Sequence, residues 1–465
     1  MQDLTRGPVL GHLARLSLPI AVGMLLQNLY HLVDLYFVGR LGDAAIAGVS
    51  VAGNLQFMVL AGCQVLGVGA MALIANACGR KDFDDARLLF NQALAMSVLL
   101  GFITLGAGYL GTGYFLEVMT DDPATREAGR AFLYAFIPGL AMQFVLMAMG
   151  SALRGAGVVK PAMLVQLFTV VLNALLAPML IAGWGTGIAL GTAGAGLASS
   201  IAIACGLLMM TYYFLRHAIG LRFDLAAMRP RLSVWRRILT IGLPPGGEFA
   251  LMFVYLSVVY WVLADFGAAA QAGYGVGQRV MQTLFLPAMA IAFGAVPLAA
   301  QSMGAGRPDR VRESFLRALQ LTSGMMLLLT VVCLVWPEWL VTPFSDDPEV
   351  IAVAATFLST ICWNYVPTGI IFLASGMFQA LGNTLPALVS SASRLVLFVL
   401  PVLFLAGHEA FGIQELWWLS VASVLLQSLF SLALLRREGA RHGIRVWRAN
   451  NSELAVPQPA KAGQQ

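Results

Sequence analysis

Two acidic residues, Asp34 and Glu248, lie deep inside long apolar stretches of the 465-residue chain. A carboxylate at the centre of a bilayer costs about 2.5 to 3.5 kcal/mol on insertion scales, so each is expected to face a bundle interior or a wet cavity. There it could carry a proton or hold a cation. Gln27, Tyr30 and His31 share the side of the helix that holds Asp34. This stripe predicts a cavity wall, in which His31 could relay protons.

Two cations, Arg279 and Arg394, also lie within the apolar stretches. Arg394 is expected at nearly the same depth as Glu248, and a pair between them would leave the surrounding cavity nearly neutral. We therefore prefer pairing with Glu248 over contact with a ligand for Arg394. Both arginines, together with Tyr255 on the helix of Glu248, remain candidates for the lining of a substrate cavity.

Neutral polar side chains follow two further apolar segments at helical spacing. They are Asn364, Thr368, Ser375 and Gln379 in one segment, and Gln166, Thr169 and Asn173 in the other. Such stripes suit a path for a solute, but Ser, Thr and Asn also hold membrane helices together at about 0.6 kcal/mol for each contact. Helix contact is the preferred interpretation for any single residue. Asn364 and Thr368 are kept as candidates for the substrate cavity.

Composition defines the solvent in which these residues act. The chain has 59% hydrophobic and 11% charged residues and a mean hydropathy of +0.80, whereas soluble proteins have about 25% charged residues. This excludes a water-soluble enzyme and a nucleic-acid-binding protein, despite the net charge of +5. Twelve segments reach the roughly 20 residues that cross a bilayer, and each must satisfy its own backbone hydrogen bonds. The predicted fold class is an all-α membrane protein with twelve transmembrane helices.

The second, eighth and tenth of these spans are long enough to tilt or bend. With the N-terminus inside, 23 of the 28 Lys and Arg residues fall on the cytoplasmic side, as the positive-inside rule requires. The outer connections are acidic instead. We expect a multi-pass protein of the inner (plasma) membrane, with both termini in the cytoplasm.

The two halves of the chain match without gaps when one is shifted by 225 residues. Gly79 falls on Gly304, and the Asp-Asp-Pro sequence at 121–123 falls on the one at 346–348. Six crossings return the chain to its starting side, so the halves are parallel repeats. They predict two six-helix bundles related by a pseudo-twofold axis along the membrane normal, around a central V-shaped cavity.

The predicted organisation follows from this repeat and from the charges. It is an N-terminal six-helix lobe at 1–215, a basic cytoplasmic linker at 216–236, a C-terminal six-helix lobe at 237–440 and a disordered cytoplasmic tail at 441–465.

Sites for chemical catalysis are missing from the sequence. We find no Gly-rich nucleotide loop, no metal-binding His pair and no Ser/His/Asp set. The five cysteines stand singly in apolar stretches, without metal-ligand spacing. The sequence therefore predicts no enzyme, no cofactor and no metal site, and an ion gradient must supply the energy for any transport.

Several motifs, in a fixed order, resemble those of multidrug and toxic compound extrusion (MATE) transporters over roughly residues 10 to 440. They are LVDLYFVGRLG at 32–42, ACGRK at 77–81, GLPPGGE at 242–248, GYGVGQR at 273–279, QSMGAGR at 301–307 and FQALGN at 378–383. The resemblance is closer to the branch of the DNA-damage-inducible F proteins than to the norfloxacin-efflux branch.

This resemblance implies export of organic, often cationic and amphipathic, compounds in exchange for protons or sodium by rocking of the two lobes. Asp34 occupies the position of the family's coupling acid, and Asn173 and Ser199 occupy positions of the same ion site. Ala177 replaces a second acid of that site, and Thr368 replaces an acid of the norfloxacin-efflux branch. Because one carboxylate suffices for a proton whereas sodium needs several oxygens, both replacements favour protons.

The expected mechanism has Asp34 protonated when the cavity faces out, and ionised when it faces in and the compound binds. Glu248 is the candidate second proton carrier. Expected partners are small organic molecules and the lipid bilayer, with the protein acting as a monomer. The alternatives are a sodium-coupled antiporter of the same fold, a channel, and a flippase for lipid-linked oligosaccharides. The flippase would need more cavity cations than Arg279 and Arg394.

Overall fold

The computed structural model describes residues 2–185, 187, 189–217, 220–405 and 411–444, apart from the side chains of residues 31 and 35. Within these residues the chain forms α-helices and three short 3-10 turns, without β-strands. Twelve helical segments are long and apolar enough to cross a membrane. The predicted class, an all-α protein with twelve transmembrane helices, is therefore confirmed.

Fourteen α-helices make up the described part of the chain. They are α1 (Val9–Gly39), α2 (Asp43–Gly79), α3 (Phe83–Met119), α4 (Pro123–Gly155), α5 (Lys160–Ile181), α6 (Gly191–Arg216), α7 (Leu232–Leu263), α8 (Ala268–Gly304), α9 (Pro308–Val335), α10 (Pro337–Val341), α11 (Pro348–Ile361), α12 (Tyr365–Leu381), α13 (Leu385–Leu405) and α14 (Ile413–Arg441). Eleven helices cross alone, α11 and α12 together form the tenth span, and α10 is a short connecting helix.

The two repeated Asp-Asp-Pro sequences start equivalent helices. The Asp122 carboxylate accepts a hydrogen bond from the backbone N–H of Thr125 at 2.9 Å, and Asp347 accepts one from Glu349 at 2.9 Å. In both cases proline follows the cap residue, at a position where a backbone N–H would have no partner within the helix. Hydrogen bonds from the Thr125 side chain and backbone also lower the pKa of the Asp122 carboxyl.

The structure gives the bend expected in the tenth span a location, and it differs from the expected bounds at the start of α7. The tenth span is interrupted by a 3-10 turn at Cys362–Asn364. Pro367 explains the break, because it lacks the N–H that would bond to the carbonyl of residue 363. In addition, α7 begins at Leu232, inside the stretch that was expected as linker.

Helices α1–α6 form an N-terminal lobe and α7–α14 form a C-terminal lobe. Helix α1 packs on α8 as well as on α5, and α2 packs on α7 and α8 as well as on α4. We call the end of the bundle where α1 begins and α14 ends the basic face. The opposite end, where α4 and α11 begin, is the acidic face.

Glycines bring α2 and α8 into backbone contact near the basic face. A Cβ atom on Gly79 would overlap the carbonyl oxygen of Gln301, and one on Gly304 would overlap that of Asn76. Gly79 and Gly304 are equivalent in the repeat, as are Asn76 and Gln301. The two contacts are therefore equivalent to each other under the pseudo-twofold axis.

The start of the chain crosses this closed end of the interface. The Gln301 side chain accepts a hydrogen bond from the backbone N–H of Leu4 at 3.1 Å and donates one to the carbonyl of Gly155 at 3.0 Å. Arg310 donates to the Leu4 carbonyl at 2.8 Å. Residues 2–7 thus connect the ends of α4 and α8 and the beginning of α9.

A polar contact between α3 and α7 joins the lobes at the same face. Asp85 accepts hydrogen bonds from Arg80 at 2.9 Å and from Arg237 at 3.5 Å. Asp85 and Arg80 belong to the N-terminal lobe, and Arg237 belongs to the C-terminal lobe. Separation of the lobes at the basic face would break the second of these pairs.

Candidate functional site

A chain of hydrogen bonds inside the N-terminal lobe leads to Asp34. The Asn173 amide on α5 donates to the hydroxyl of Tyr30 at 3.3 Å and to that of Ser199 at 3.2 Å. Ser199, on α6, donates to Asp34 Oδ2 at 3.2 Å. Three helices therefore meet at the α1 carboxylate, and the donors are oriented to stabilise its ionised form.

Two oxygen atoms of this site have no hydrogen-bond partner among the described residues. Asp34 Oδ1 and Asn173 Oδ1 are both buried and accept no hydrogen bond from the residues that the structure describes. No described cation forms an ion pair with Asp34. A buried carboxylate in this state can take up a proton or bind a cation, because either would satisfy the free acceptor.

A cleft of about 520 Å³, including open solvent, adjoins this site within the N-terminal lobe. Its polar lining consists of Gln27, Tyr30, Gln56, Gln143, Gln166 and Thr169, from four helices. Its apolar lining includes Phe136 and Ile203. None of the described residues that line the cleft is charged, so these residues offer amide and hydroxyl hydrogen bonds beside aromatic and aliphatic surface.

The stripe predicted on the first helix is partly seen in this cleft. Gln27 and Tyr30 line it, whereas Asp34 lies beyond Tyr30 and is connected through Asn173 and Ser199. The side chain of His31 lies outside the described residues. Sequence reasoning did not single out Gln56 and Gln143. Gln143 is the one glutamine of α4, whereas α2 carries both Gln56 and Gln64, so the sequence did not distinguish Gln56.

Glu248 occupies a separate site in the C-terminal lobe. Ser375 on α12 donates to Glu248 Oε1 at 3.4 Å, and Ser391 on α13 donates to Oε2 at 3.3 Å. Both partners are neutral hydroxyls, and Glu248 is half-buried. Ser375 belongs to a stripe that the sequence indicated, whereas Ser391 was missed because nothing in its own segment distinguishes it.

The expected pair between Glu248 and Arg394 is not formed among the described residues. Arg394 lies three residues beyond Ser391 on α13, and it contacts Tyr255, which lies seven residues beyond Glu248 on α7. Its guanidinium carbon is 4.3 Å from the centre of the Tyr255 ring. Because of the helical rise, Arg394 lies beyond the level of the Glu248 carboxylate and at the level of the Tyr255 ring, with which it forms a cation–π contact.

The other candidates for a substrate cavity do not join Glu248. Arg279 is exposed, and Thr368 is half-buried on α12 two helical turns from Ser375. Asn364 is buried at the 3-10 turn, and its Oδ1 atom accepts no hydrogen bond from the described residues. Throughout the described ranges, no group of three or more His, Cys, Asp and Glu residues could hold a metal ion.

Comparison with known proteins identifies the family. The family model MatE matches twice, at residues 19–179 and 244–405, once in each lobe. The chain is 27% identical to the multidrug export protein MepA of Staphylococcus haemolyticus, over 86% of this chain and 88% of that protein. It is 24% identical to an FAD transporter of Shewanella oneidensis, over 87% of this chain and 90% of that protein.

Solved structures share the fold. A MATE multidrug-resistance transporter of the MOP superfamily, solved in an outward-facing conformation, aligns with a TM-score of 0.88 and 21% identity. The alignment covers 95% of this chain and 98% of that one. The alignment extends over both lobes, so the two chains share one fold. Both copies of the repeat match the family model, and the chain belongs to the MatE family of membrane transporters.

Proposed function

We propose that this transporter exports organic, amphipathic compounds, cations among them, in exchange for protons by alternating access. The observation that carries the proposal is Asp34, a carboxylate on α1 with one hydrogen-bonded oxygen and one buried oxygen without a described partner. Relatives named for multidrug export and for FAD transport support organic compounds as the cargo. The protein would work as a monomer in the lipid bilayer.

The orientation follows from charge. With 23 of 28 Lys and Arg residues at the basic face or in the segments next to it, the positive-inside rule places this face and both termini in the cytoplasm. In a bacterial cell this corresponds to the inner membrane. Since glycine contacts, residues 2–7 and the pair of Asp85 and Arg237 join the lobes at this face, we assign the structure to the outward-facing state.

Proton uptake at Asp34 would act through the hydrogen-bond chain. The ionised carboxylate accepts a hydrogen bond from Ser199. The protonated carboxyl also carries an O–H group, which needs a hydrogen-bond acceptor. The free Asn173 Oδ1 atom of the same cluster is an acceptor for it. Protonation therefore favours a different packing of α1 against α5 and α6. A ligand that binds the ionised state better would shift the equilibrium the other way.

Purified protein in proteoliposomes, with ethidium as the transported cation, tests this proposal. A pH gradient and a sodium gradient are imposed separately on wild type, Asp34→Asn and the control Asp121→Asn. We expect the pH gradient to drive wild type and Asp121→Asn equally, and to drive Asp34→Asn at least tenfold more slowly. Full transport by Asp34→Asn with an unchanged pH dependence would overturn the proposal.

Sodium coupling is the second candidate, because one observation favours it. Asp34 Oδ1 and Asn173 Oδ1 are two free buried oxygens in one hydrogen-bonded cluster, and a cation could accept both as ligands. Transport driven by the sodium gradient alone, and abolished in Asp34→Asn, would select this candidate over the proton.

A further inference from the structure

Arg394 lies inside a membrane span, and its guanidinium has no acidic partner among the described residues. It forms none of the ion pairs among the described residues, and its Nε atom is buried without a hydrogen-bond acceptor. Arginines inside membrane proteins usually pair with a carboxylate or with backbone carbonyls. A free donor at this depth requires an explanation, because leaving a buried charged donor unmatched is unfavourable.

The repeat shows which surface Arg394 belongs to. Arg394, its contact Tyr255 and Ser391, one helical turn before it, have N-terminal equivalents 225 positions earlier that all line the cleft beside Asp34. The pairs are Tyr30 and Tyr255, Gln166 and Ser391, and Thr169 and Arg394. By this equivalence, the C-terminal residues stand at the positions that line a cavity in the N-terminal lobe. In the C-terminal lobe, the neutral hydroxyl of Thr169 is replaced by a positive charge.

The surroundings fix the guanidinium in one orientation. Tyr255 covers one of its faces, and the Tyr255 hydroxyl shares a hydrogen bond with Ser420 at 2.9 Å. The Tyr255 ring also packs against Phe398 at a centroid distance of 4.7 Å. With one face against a held ring, the N–H edge remains for a ligand. This edge matches the two oxygens of a carboxylate or a phosphate.

We propose that Arg394 and Tyr255 form a subsite of the C-terminal lobe that binds the carboxylate or phosphate group of an aromatic cargo. The inference rests on the proposed export function and specifies its substrate class. The ring of Tyr255 adds a surface for the aromatic part of the cargo. The negative charge of Asp34 and the positive charge of Arg394 lie in different lobes. A compound that meets both is therefore a zwitterion, with its cationic end toward α1.

A pair of dyes that differ in one group isolates this interaction. Rhodamine 110 carries a free carboxylate, and rhodamine 123 is its methyl ester. Binding is measured by fluorescence polarisation with the full-length protein in nanodiscs, without any gradient, and transport is then measured in proteoliposomes. We expect Arg394→Gln to weaken rhodamine 110 binding at least tenfold and to leave rhodamine 123 within twofold of wild type. Arg394→Lys should bind rhodamine 110 with an intermediate affinity, because lysine keeps the positive charge but lacks the paired N–H donors of the guanidinium.

The matched control is Arg279→Gln, which removes an exposed arginine of α8 in the same lobe. It should leave the preference between the dyes unchanged. Tyr255→Leu should weaken rhodamine 110 binding, whereas Tyr255→Phe should preserve it. A phosphate monoester, 4-methylumbelliferyl phosphate, compared with 4-methylumbelliferone, shows whether the subsite takes phosphate as well.

Equal loss of both dyes in Arg394→Gln would indicate a structural role, and an unchanged preference would show that Arg394 does not meet the carboxylate. Either result overturns the subsite. If binding shows the selective loss but no gradient drives transport in wild type, the export proposal fails while the subsite stands. The binding and transport assays thereby separate the two.

Discussion

Ser199 is the residue through which the rest of the polar chain reaches Asp34. Its hydroxyl donates to the carboxylate at 3.2 Å and accepts from Asn173 at 3.2 Å. A hydrogen bond to a charged group contributes about 1.5 to 3 kcal/mol. At this length we expect the lower end, which corresponds to about one pH unit. The ionised form of Asp34 therefore depends on the Ser199 hydroxyl for a measurable part of its stability.

Replacement of Ser199 by alanine tests this dependence. Without the donor, the ionised carboxylate is less stable, so the proton should be retained to higher pH. We expect the midpoint of the pH dependence of ethidium transport to rise by up to about one unit. The control is Ser200→Ala, because Ser200 donates to the carbonyl of Ala135 instead. A midpoint that moves equally in both variants, or falls in Ser199→Ala, would contradict the assignment.

The sequence predicted the residues of the N-terminal site better than those of the C-terminal site. Helical spacing placed Gln27 and Tyr30 together, and family resemblance added Asn173 and Ser199 to Asp34. The expected pair of Glu248 and Arg394 was wrong for the described structure, because it was argued from depth alone. The depth of a residue in the membrane does not determine to which side of its helix the side chain points. Contacts such as that of Ser391 become visible only once α7 and α13 are packed.

At the scale of helices, the crossing of α2 and α8 depends on glycine. No Cβ fits at Gly79 or Gly304 while the two backbones remain in contact. Both glycines have helical backbone angles, so alanine is tolerated within each helix. The steric conflict arises only between the lobes. The closed basic face should therefore be selectively destabilised by a methyl group at either position.

We expect Gly79→Ala and Gly304→Ala to separate the lobes at the basic face. Distances between spin labels at Arg87 and Arg312, which are repeat equivalents at this face, report the separation by double electron–electron resonance. Each variant should populate longer distances than wild type, and the double variant should do so most. Gly106→Ala on α3 is the control, because its methyl group meets no atom within 4 Å. Unchanged distances in the double variant would show that the contact does not hold the face closed.

The number and class of the spanning helices followed from length and hydropathy, whereas their interruptions did not. The break at Cys362–Asn364 comes from one missing N–H at Pro367, yet Pro244 and Pro245 stay inside an unbroken α7. Proline is therefore an ambiguous signal in a membrane helix. Neighbouring helices decide whether the freed carbonyl is accommodated within the helix or by a turn.

For the whole molecule, the internal repeat predicted two related lobes but not their state. The same residues are helical and the same apolar surface faces lipid whether the protein is open at the basic or at the acidic face. The hydrophobic pattern of the sequence is therefore compatible with both states. The closed basic face depends instead on tertiary contacts such as those of Gln301 with Leu4 and Gly155. The lobes also differ in charge, with Asp34 in one and both Glu248 and Arg394 in the other.

This inequality has a consequence for the driving force. Exchange of one proton for one monovalent cation moves no net charge, so the membrane potential cannot contribute. With Glu248 as a second carrier, two protons enter for each cation, and 100 mV supplies about 2.3 kcal/mol. That corresponds to about a fiftyfold increase in the achievable concentration ratio. The Glu248 carboxylate is suited to carry the second proton, because its described partners are two neutral hydroxyls and no described cation neutralises it.

Ethidium transport under potassium diffusion potentials set with valinomycin tests the two-proton scheme. An inside-negative potential should accelerate wild type at zero pH gradient. Glu248→Gln leaves one titrating carboxylate, so it should lose the response to potential while it keeps the response to a pH gradient. Asp34→Asn should lose both responses, because the proposed mechanism couples protonation of Asp34 to the packing of α1. If Glu248→Gln stays as sensitive to voltage as wild type, Glu248 does not carry the second proton and the two-proton scheme fails at this residue.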